Sequence, residues 1–211
     1  MVEMLFVESG KHTVKKYPLE GTLKGISDRQ IQEHRDVLYA GYVNKLNEIQ
    51  TKLKAVAKTG NGTHSDYREL KLEEAFACNG VTLHEAYFEN LGGAENKAAG
   101  AILKLIERDF GSFDIWKEDF GAAAASSRGW VVLALNLLDG RLHNYLCDRH
   151  DLGGIWWCLP LLVLDVYEHA YMIDYGVKRA DYIKAFHENI NWHAINQRIE
   201  QIKKIPDVLK H

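Results

Sequence analysis

Apolar and polar positions follow three successive rhythms along this chain. Between Ser27 and about residue 58, Ile31, His34, Leu38, Tyr42, Leu46, Ile49 and Leu53 recur every three or four positions, the period of one helix face. Ser27, followed by Asp28, Arg29 and Gln30, supplies an N-cap and a polar first turn. Thr59-Gly60-Asn61-Gly62-Thr63 ends the pattern as a turn. A second helical pattern over residues 66–90 carries Leu70, Phe76, Leu83 and Tyr87, with Leu91 just beyond. Gly80 lies inside it, which costs about 1 kcal/mol against Ala unless close packing requires the glycine. Two long helices around a short turn predict an antiparallel hairpin. Before them, residues 1–26 read as an extended arm anchored at Tyr17-Pro18-Leu19.

After Leu91-Gly92-Gly93 the rhythm changes. Residues 96–109 and 112–126 read as helices joined at Phe110-Gly111, the second holding the Ala122 to Ala125 run. Apolar runs over 130–137 and 141–146 flank Leu138-Asp139-Gly140, a hairpin signal, and 155–164 predicts a third strand. Helical periodicity returns over 180–188 and 192–203. The expected fold is α+β: an N-terminal antiparallel helical hairpin, then an α/β domain with a three-stranded antiparallel sheet flanked by helices. The division falls at residues 1–93 and 94–211. There is no internal repeat and no low-complexity segment.

The third strand ends oddly. The run Leu159-Pro160-Leu161-Leu162-Val163-Leu164 closes on Asp165, and His169 follows four residues later. A carboxylate at the end of a buried strand needs a cation or hydrogen-bond donors. Asp165 therefore either caps a helix starting near Val166, with His169 packed beneath it, or joins His169 in ligating a metal. His34 and His84 bear on the choice, because each lies on the inward face of one hairpin helix and both face the same seam. Together the four residues make a set of three imidazoles and one carboxylate. Other metal and nucleotide motifs are missing. There is no His-Glu-x-x-His, no Glu-x-x-His, no cysteine cluster, no phosphate-binding loop and no Gly-x-Ser-x-Gly.

Composition narrows the class. The 211 residues are 46% hydrophobic and 26% charged, with net charge -3 and pI about 6.4. With no basic stripe, nucleic acid is not an expected partner. Cys78, Cys147 and Cys158 include no Cys-x-x-Cys pair and predict reduced thiols in a cytosol-like compartment. The first residues lack the form of a signal peptide, and no apolar run approaches the roughly 18 residues of a membrane span. A cytoplasmic, soluble protein is the expectation. His12, His64, His143, His187, His193 and His211 read as surface or loop residues, Trp130, Trp156 and Trp157 as core, and Lys203-Lys204 as a solvated helix end.

Taken together the motifs resemble the iron/manganese superoxide dismutase family from about Tyr17 to Ile199. The family's strand-ending Asp-x-Trp-Glu-His-Ala-Tyr stands here as Asp165-Val166-Tyr167-Glu168-His169-Ala170-Tyr171. It is followed by Asp174-Tyr175, Lys178-Arg179-Ala180-Asp181-Tyr182 and Ile190-Asn191-Trp192. Phe110-Gly111-Ser112-Phe113, Gly129-Trp130 and Asn79-Gly80-Val81-Thr82-Leu83-His84 match inner segments, and His34 with Tyr42-Val43-Asn44 matches the first-ligand region. The resemblance implies one Fe or Mn ion per subunit, held by His34, His84, Asp165 and His169 with a solvent ligand, and superoxide as substrate. Tyr42 would border the pocket and pass protons. It further implies a homodimer, or a tetramer built on it, in which Glu168 bonds His169 of another subunit. Leu38 and Met172 stand where the family commonly has a His and a Tyr that bond across that interface, and Val37 replaces a common Lys. The outer-sphere Gln is missing: Gly80 occupies one of its positions and His150 falls near the other, so His150 takes the role. Tyr167 replaces the usual Trp. Gly80, His150 and Val163, which stands where manganese-type members carry Gly, favour Fe or tolerance of either metal. The alternative is a relative that keeps the fold and binds metal with little or no catalysis, or that uses the same metal for slow peroxidase chemistry.

Overall fold

A computed structural model describes residues 10–93 and 97–203. The start of the arm, Asn96, Lys204 and His211 lie outside the described residues. The first helical stretch begins as α1 (Asp28–Gln32), and Ser27 caps it as its first-turn residues predict, its hydroxyl accepting from Gln30 N–H. It passes through a π-helical segment, Glu33–Tyr39, and continues as α2 (Ala40–Ala55). The long helix α3 (Asp66–Glu89) is capped by Ser65 and packs antiparallel on α2. Next come α4 (Gly100–Phe110) and α5 (Phe113–Ser126), the strands β1 (Trp130–Asn136), β2 (Arg141–Cys147) and β3 (Cys158–Asp165), and a 3-10 turn at Glu168–Ala170. The short α6 (Met172–Tyr175), α7 (Arg179–Glu188) and α8 (Trp192–Lys203) complete the described chain. The α+β arrangement matches the sequence-based expectation.

The sheet has the order β2-β1-β3, antiparallel throughout. β3 is therefore an edge strand, which tolerates Pro160 and its missing N–H. Pro160 pairs with Ala134 beside a register shift between Leu133 and Ala134. The same register sets Asp165, the last residue of β3, opposite Trp130, the first of β1. Leu161 to Val166 are buried almost completely. Asn90, at the end of α3, donates from Nδ2 to the Val163 carbonyl at 2.9 Å and so ties the hairpin to the strand that carries Asp165.

Three sequence expectations change. The apolar run over 155–157 lies outside the sheet, joined to the end of β1 where the Trp157 carbonyl accepts from the Leu137 N–H at 2.9 Å. Trp157 has φ 65°, the sheet begins at Cys158, and Trp156 and Trp157 are 90% and 70% exposed rather than core. Hydrophobicity marks the run, but it lies in the turn that enters β3 and stays largely exposed. His187 is not a surface or loop residue. It is half-buried on α7 with its ring against Trp116 and Phe120. Leu38 is only half-buried, and Tyr39, which the three-or-four spacing did not select, is fully buried in its place. The π segment explains this shift: the Ala40 N–H reaches Arg35 O, five residues back, so the inward face moves on by one residue.

Candidate metal centre

His34 sits in the π segment, fully buried, near the start of one hairpin arm. His84 is equally buried near the end of α3. Antiparallel packing brings the two rings to 5.0 Å between centroids. His84 Nδ1 lies 2.6 Å from the carbonyl of Gly80, one helical turn earlier. That bond makes Nδ1 the protonated nitrogen and leaves the Nε2 lone pair free. Gly80 answers its own packing question. A Cβ there would stand 2.8 Å from Tyr42 Cδ1, so the Tyr42 ring fills the space that the glycine leaves.

Asp165 does both things that its position permits. Its Oδ1 accepts from the Tyr167 N–H at 2.9 Å, as a cap does. Its Oδ2 faces three imidazoles, with His34 Nε2 and His169 Nε2 each at 3.1 Å and His84 Nε2 at 3.6 Å. The four ligand atoms all lie within 4.8 Å of one another. Burial alone would raise the Asp165 pKa, but His169 and His34 hold it far below the usual carboxylate range. Burial pushes His34 down against the pull of Asp165, and pushes His84 down to about 3, reinforced by His34. His169 goes the other way: burial lowers it, and the Asp165 carboxylate more than offsets that.

A cation suits this arrangement. His34 Nδ1, His34 Nε2 and His84 Nε2 are buried without a hydrogen-bond partner; the approach of His34 Nε2 to Asp165 is close but badly angled for one. Unpaired buried nitrogens are costly, and an ion among them would take up the two Nε2 lone pairs and neutralise the carboxylate together. Neutral imidazoles with one hard carboxylate form a donor set for first-row metals.

Tyr42 and His150, the two other residues singled out in the sequence, meet directly: Tyr42 Oη is 2.7 Å from His150 Nε2. The other His150 nitrogen, Nδ1, accepts from Trp130 Nε1 at 2.8 Å. An indole N–H only donates, so Nδ1 is the acceptor and Nε2 carries the proton given to Tyr42. Burial drives His150 down to about 4 and raises the Tyr42 phenol, so both are neutral near pH 7. The Asp148-to-Gly154 loop brings His150 here by folding tightly onto β2. Gly153 has φ 104°, and a Cβ on it would run into the Leu146 carbonyl oxygen. Leu38 is half-buried and Met172 exposed. Sequence reasoning missed Trp130 as the donor that fixes His150, and Gln30, whose Nε2 bonds the His169 carbonyl. The one available signal for Gln30 was an amide one turn before His34 on the same face.

A helical hairpin set on a three-stranded sheet, with three imidazoles and a carboxylate converging at their junction, offers a candidate site for a single metal ion. The model of iron/manganese superoxide dismutases, C-terminal domain, matches residues 98–198. An iron superoxide dismutase of Aquifex aeolicus (strain VF5) is 44% identical over 193 residues, covering 89% of this chain and 91% of the relative. One from Cupriavidus metallidurans is 40% identical over 176 residues, covering 81% and 86%. A manganese superoxide dismutase of Haloarcula marismortui is 35% identical over 189 residues, covering 83% and 86%. The chain belongs to the iron/manganese superoxide dismutase family.

Proposed function

We propose that this protein is a superoxide dismutase that holds one iron or manganese ion with His34 Nε2, His84 Nε2, Asp165 Oδ2 and His169 Nε2. The observation that carries the reading is the convergence of these four atoms within 4.8 Å, with the two buried Nε2 atoms of His34 and His84 lacking a hydrogen-bond partner. Bound there, the metal supplies a one-electron couple lying between the two superoxide reactions, so that two superoxide ions and two protons yield dioxygen and hydrogen peroxide. The chain supplies the rest. Asp165 contributes a full negative charge that favours the trivalent state, and the Gly80 carbonyl fixes the tautomer of His84. Trp130 and His150 set the direction of the hydrogen bonds, so Tyr42 Oη accepts from His150 and its own proton is left to donate into the site. His150 acts on the reaction through Tyr42.

Iron, or tolerance of both metals, is the reading for the ion. Gly80 cannot donate to a bound solvent molecule, and both nitrogens of His150 are already engaged. The higher identity to iron-named relatives supports the same choice. We also propose a homodimer with Glu168, His169, Leu38 and Met172 at its interface, and a tetramer as a further assembly. Glu168 is exposed and lines an open cleft of about 420 Å³ with Arg128, Tyr167, His169 and Arg179, a shape and charge suited to a second chain. Free Cys78, Cys147 and Cys158 support a cytoplasmic location, and no helix among the described residues is long and apolar enough to cross a membrane. Residues 1–93 and 94–211 are proposed as the two units of the chain.

The test is metal analysis of the purified protein, followed by superoxide consumption by the apoprotein reconstituted separately with each metal. Rapid consumption by the iron form is expected. High activity with manganese alone would overturn the choice of metal. Two metallated but inactive forms would leave a non-catalytic relative.

A further inference from the structure

Gln30 is 1% exposed, and both ends of its amide are engaged by the segment that carries His169. Nε2 donates to the His169 carbonyl at 2.7 Å, and Oε1 accepts from the Ile173 N–H at 3.1 Å. We propose that Gln30 is a positioning residue for His169, tying that ligand to the same helix that carries His34; the proposal rests on the metal centre described above.

His169 needs such a tie more than the other ligands do. His34 and His84 are built into long helices, and Asp165 ends a strand paired along its length. His169 stands in a three-residue 3-10 turn, followed by Tyr171 at φ -145° before a four-residue helix. Its side chain is 25% exposed, whereas those of His34, His84 and Asp165 are at 0%. A turn this short fixes little by itself, and the backbone of His169 takes its position from what it bonds. Gln30 holds both ends of the stretch from His169 to Ile173. Close by, the Ser27 backbone N–H donates to Asp174 Oδ2 at 2.7 Å, so the start of α1 and this segment also meet through a bond that the Ser27 side chain does not make. Because α1 runs directly into the π segment, the clamp places the His169 ring relative to His34, whose centroid lies 4.9 Å away.

The chemistry of the residue fits the task. The uncharged amide of a glutamine donates to one backbone group and accepts from another from two atoms of one rigid plane, without bringing a charge into the buried site. Methionine keeps the length and burial but makes neither bond. Glutamate keeps the acceptor for Ile173 and turns an acceptor towards the His169 carbonyl.

The experiment compares wild type, Q30M, Q30E and S27A loaded with ferric iron. It reads release to a chelator, the visible absorption of the bound iron, and thermal midpoints of the apo and loaded forms. Groups that orient metal ligands are typically worth on the order of tenfold or more in affinity. Q30M should release iron about tenfold faster, shift the absorption, and narrow the gap between loaded and apo midpoints. Q30E should do the same although the Ile173 bond can persist. S27A weakens the cap of the same helix; it should lower both midpoints together and leave release and absorption as in wild type. The proposal fails if Q30M lowers both midpoints equally and keeps the wild-type release rate and spectrum. Should Q30M not fold, Q30E is judged by the same criteria. A wild-type protein that takes up neither iron nor manganese would sink the proposed function and this role together; normal loading with an unaltered Q30M would sink only the role of Gln30.

Discussion

The His84 imidazole has what a buried ligand would need: one nitrogen bonded to a backbone carbonyl, the other with no hydrogen-bond partner among the described residues. Replacing His84 by Ala would remove one of the four proposed protein ligands. Because metal binds the native state, its loss also removes stability. H84A should show at least tenfold weaker metal binding, and the thermal midpoint of its loaded form should fall further than that of its apo form. Full metallation with normal superoxide consumption would refute the assignment. His187 serves no such purpose, and its burial acts on stability alone. Burial lowers its pKa from 6.5 to about 4, with Lys117 adding to the effect. As pH falls through about 6.5 the unfolded chain takes up a proton that the folded chain refuses until about 4, so stability is lost across that window. Burial gives His150 the same sign. The apoprotein should therefore melt at progressively lower temperature from pH 7 to pH 4, and the fall should be smaller in H187L. Equal slopes for the two proteins would show that His187 is protonated in the fold.

At the scale of elements, two irregularities in the hairpin build the site. The π turn moves the inward face from Leu38 to Tyr39, whose hydroxyl then donates to Glu85 Oε1 at 2.8 Å and accepts from the Lys15 N–H at 3.0 Å, binding the arm to both helices. Gly80 leaves a hollow in α3 for the ring of Tyr42. Helix propensity alone favours Gly80→Ala by about 1 kcal/mol, but overpacking typically costs about 1–3 kcal/mol. Tyr42 cannot swing away cheaply, since its hydroxyl is held by His150. G80A should therefore be destabilised by about 1 kcal/mol and lose much of its activity while retaining metal. Melting, metal content and superoxide consumption measured together check this. A more stable, fully active G80A would mean that the ring has room to move.

For the whole molecule, His169 keeps one side open to solvent. Glu168 is exposed beside it, and Met172 and Ile173 are 43% and 44% exposed on the following turn. A carboxylate from a second copy would orient His169 from outside as Gln30 does from within. E168A should shift the protein towards monomer by about tenfold or more in dissociation constant and lower activity with it, in keeping with the weight of groups that hold metal ligands. Sedimentation measured alongside the superoxide assay tests the link. An E168A protein that sediments and turns over like wild type would remove Glu168 from both roles.

Hydrophobic periodicity is a local property, and what it determines here is local: two long helices with a turn between them, a hairpin at Asp139-Gly140, a buried strand ending on Asp165, and the cap at Ser27. The convergence of His34, His84, Asp165 and His169 was also legible, because a carboxylate closing an apolar strand and histidines on two inward helix faces are anomalies that burial makes expensive. Tertiary structure alone decided which apolar residues face a partner layer. Trp156 and Trp157 carry the composition of a core but lie exposed in the turn that enters β3. It also decided the directions of hydrogen bonds between residues far apart in the chain, such as Trp130 to His150 to Tyr42 and Gln30 to His169. Such bonds leave no period in the sequence, since each depends on a single pair of atoms brought together by the packing of separate elements.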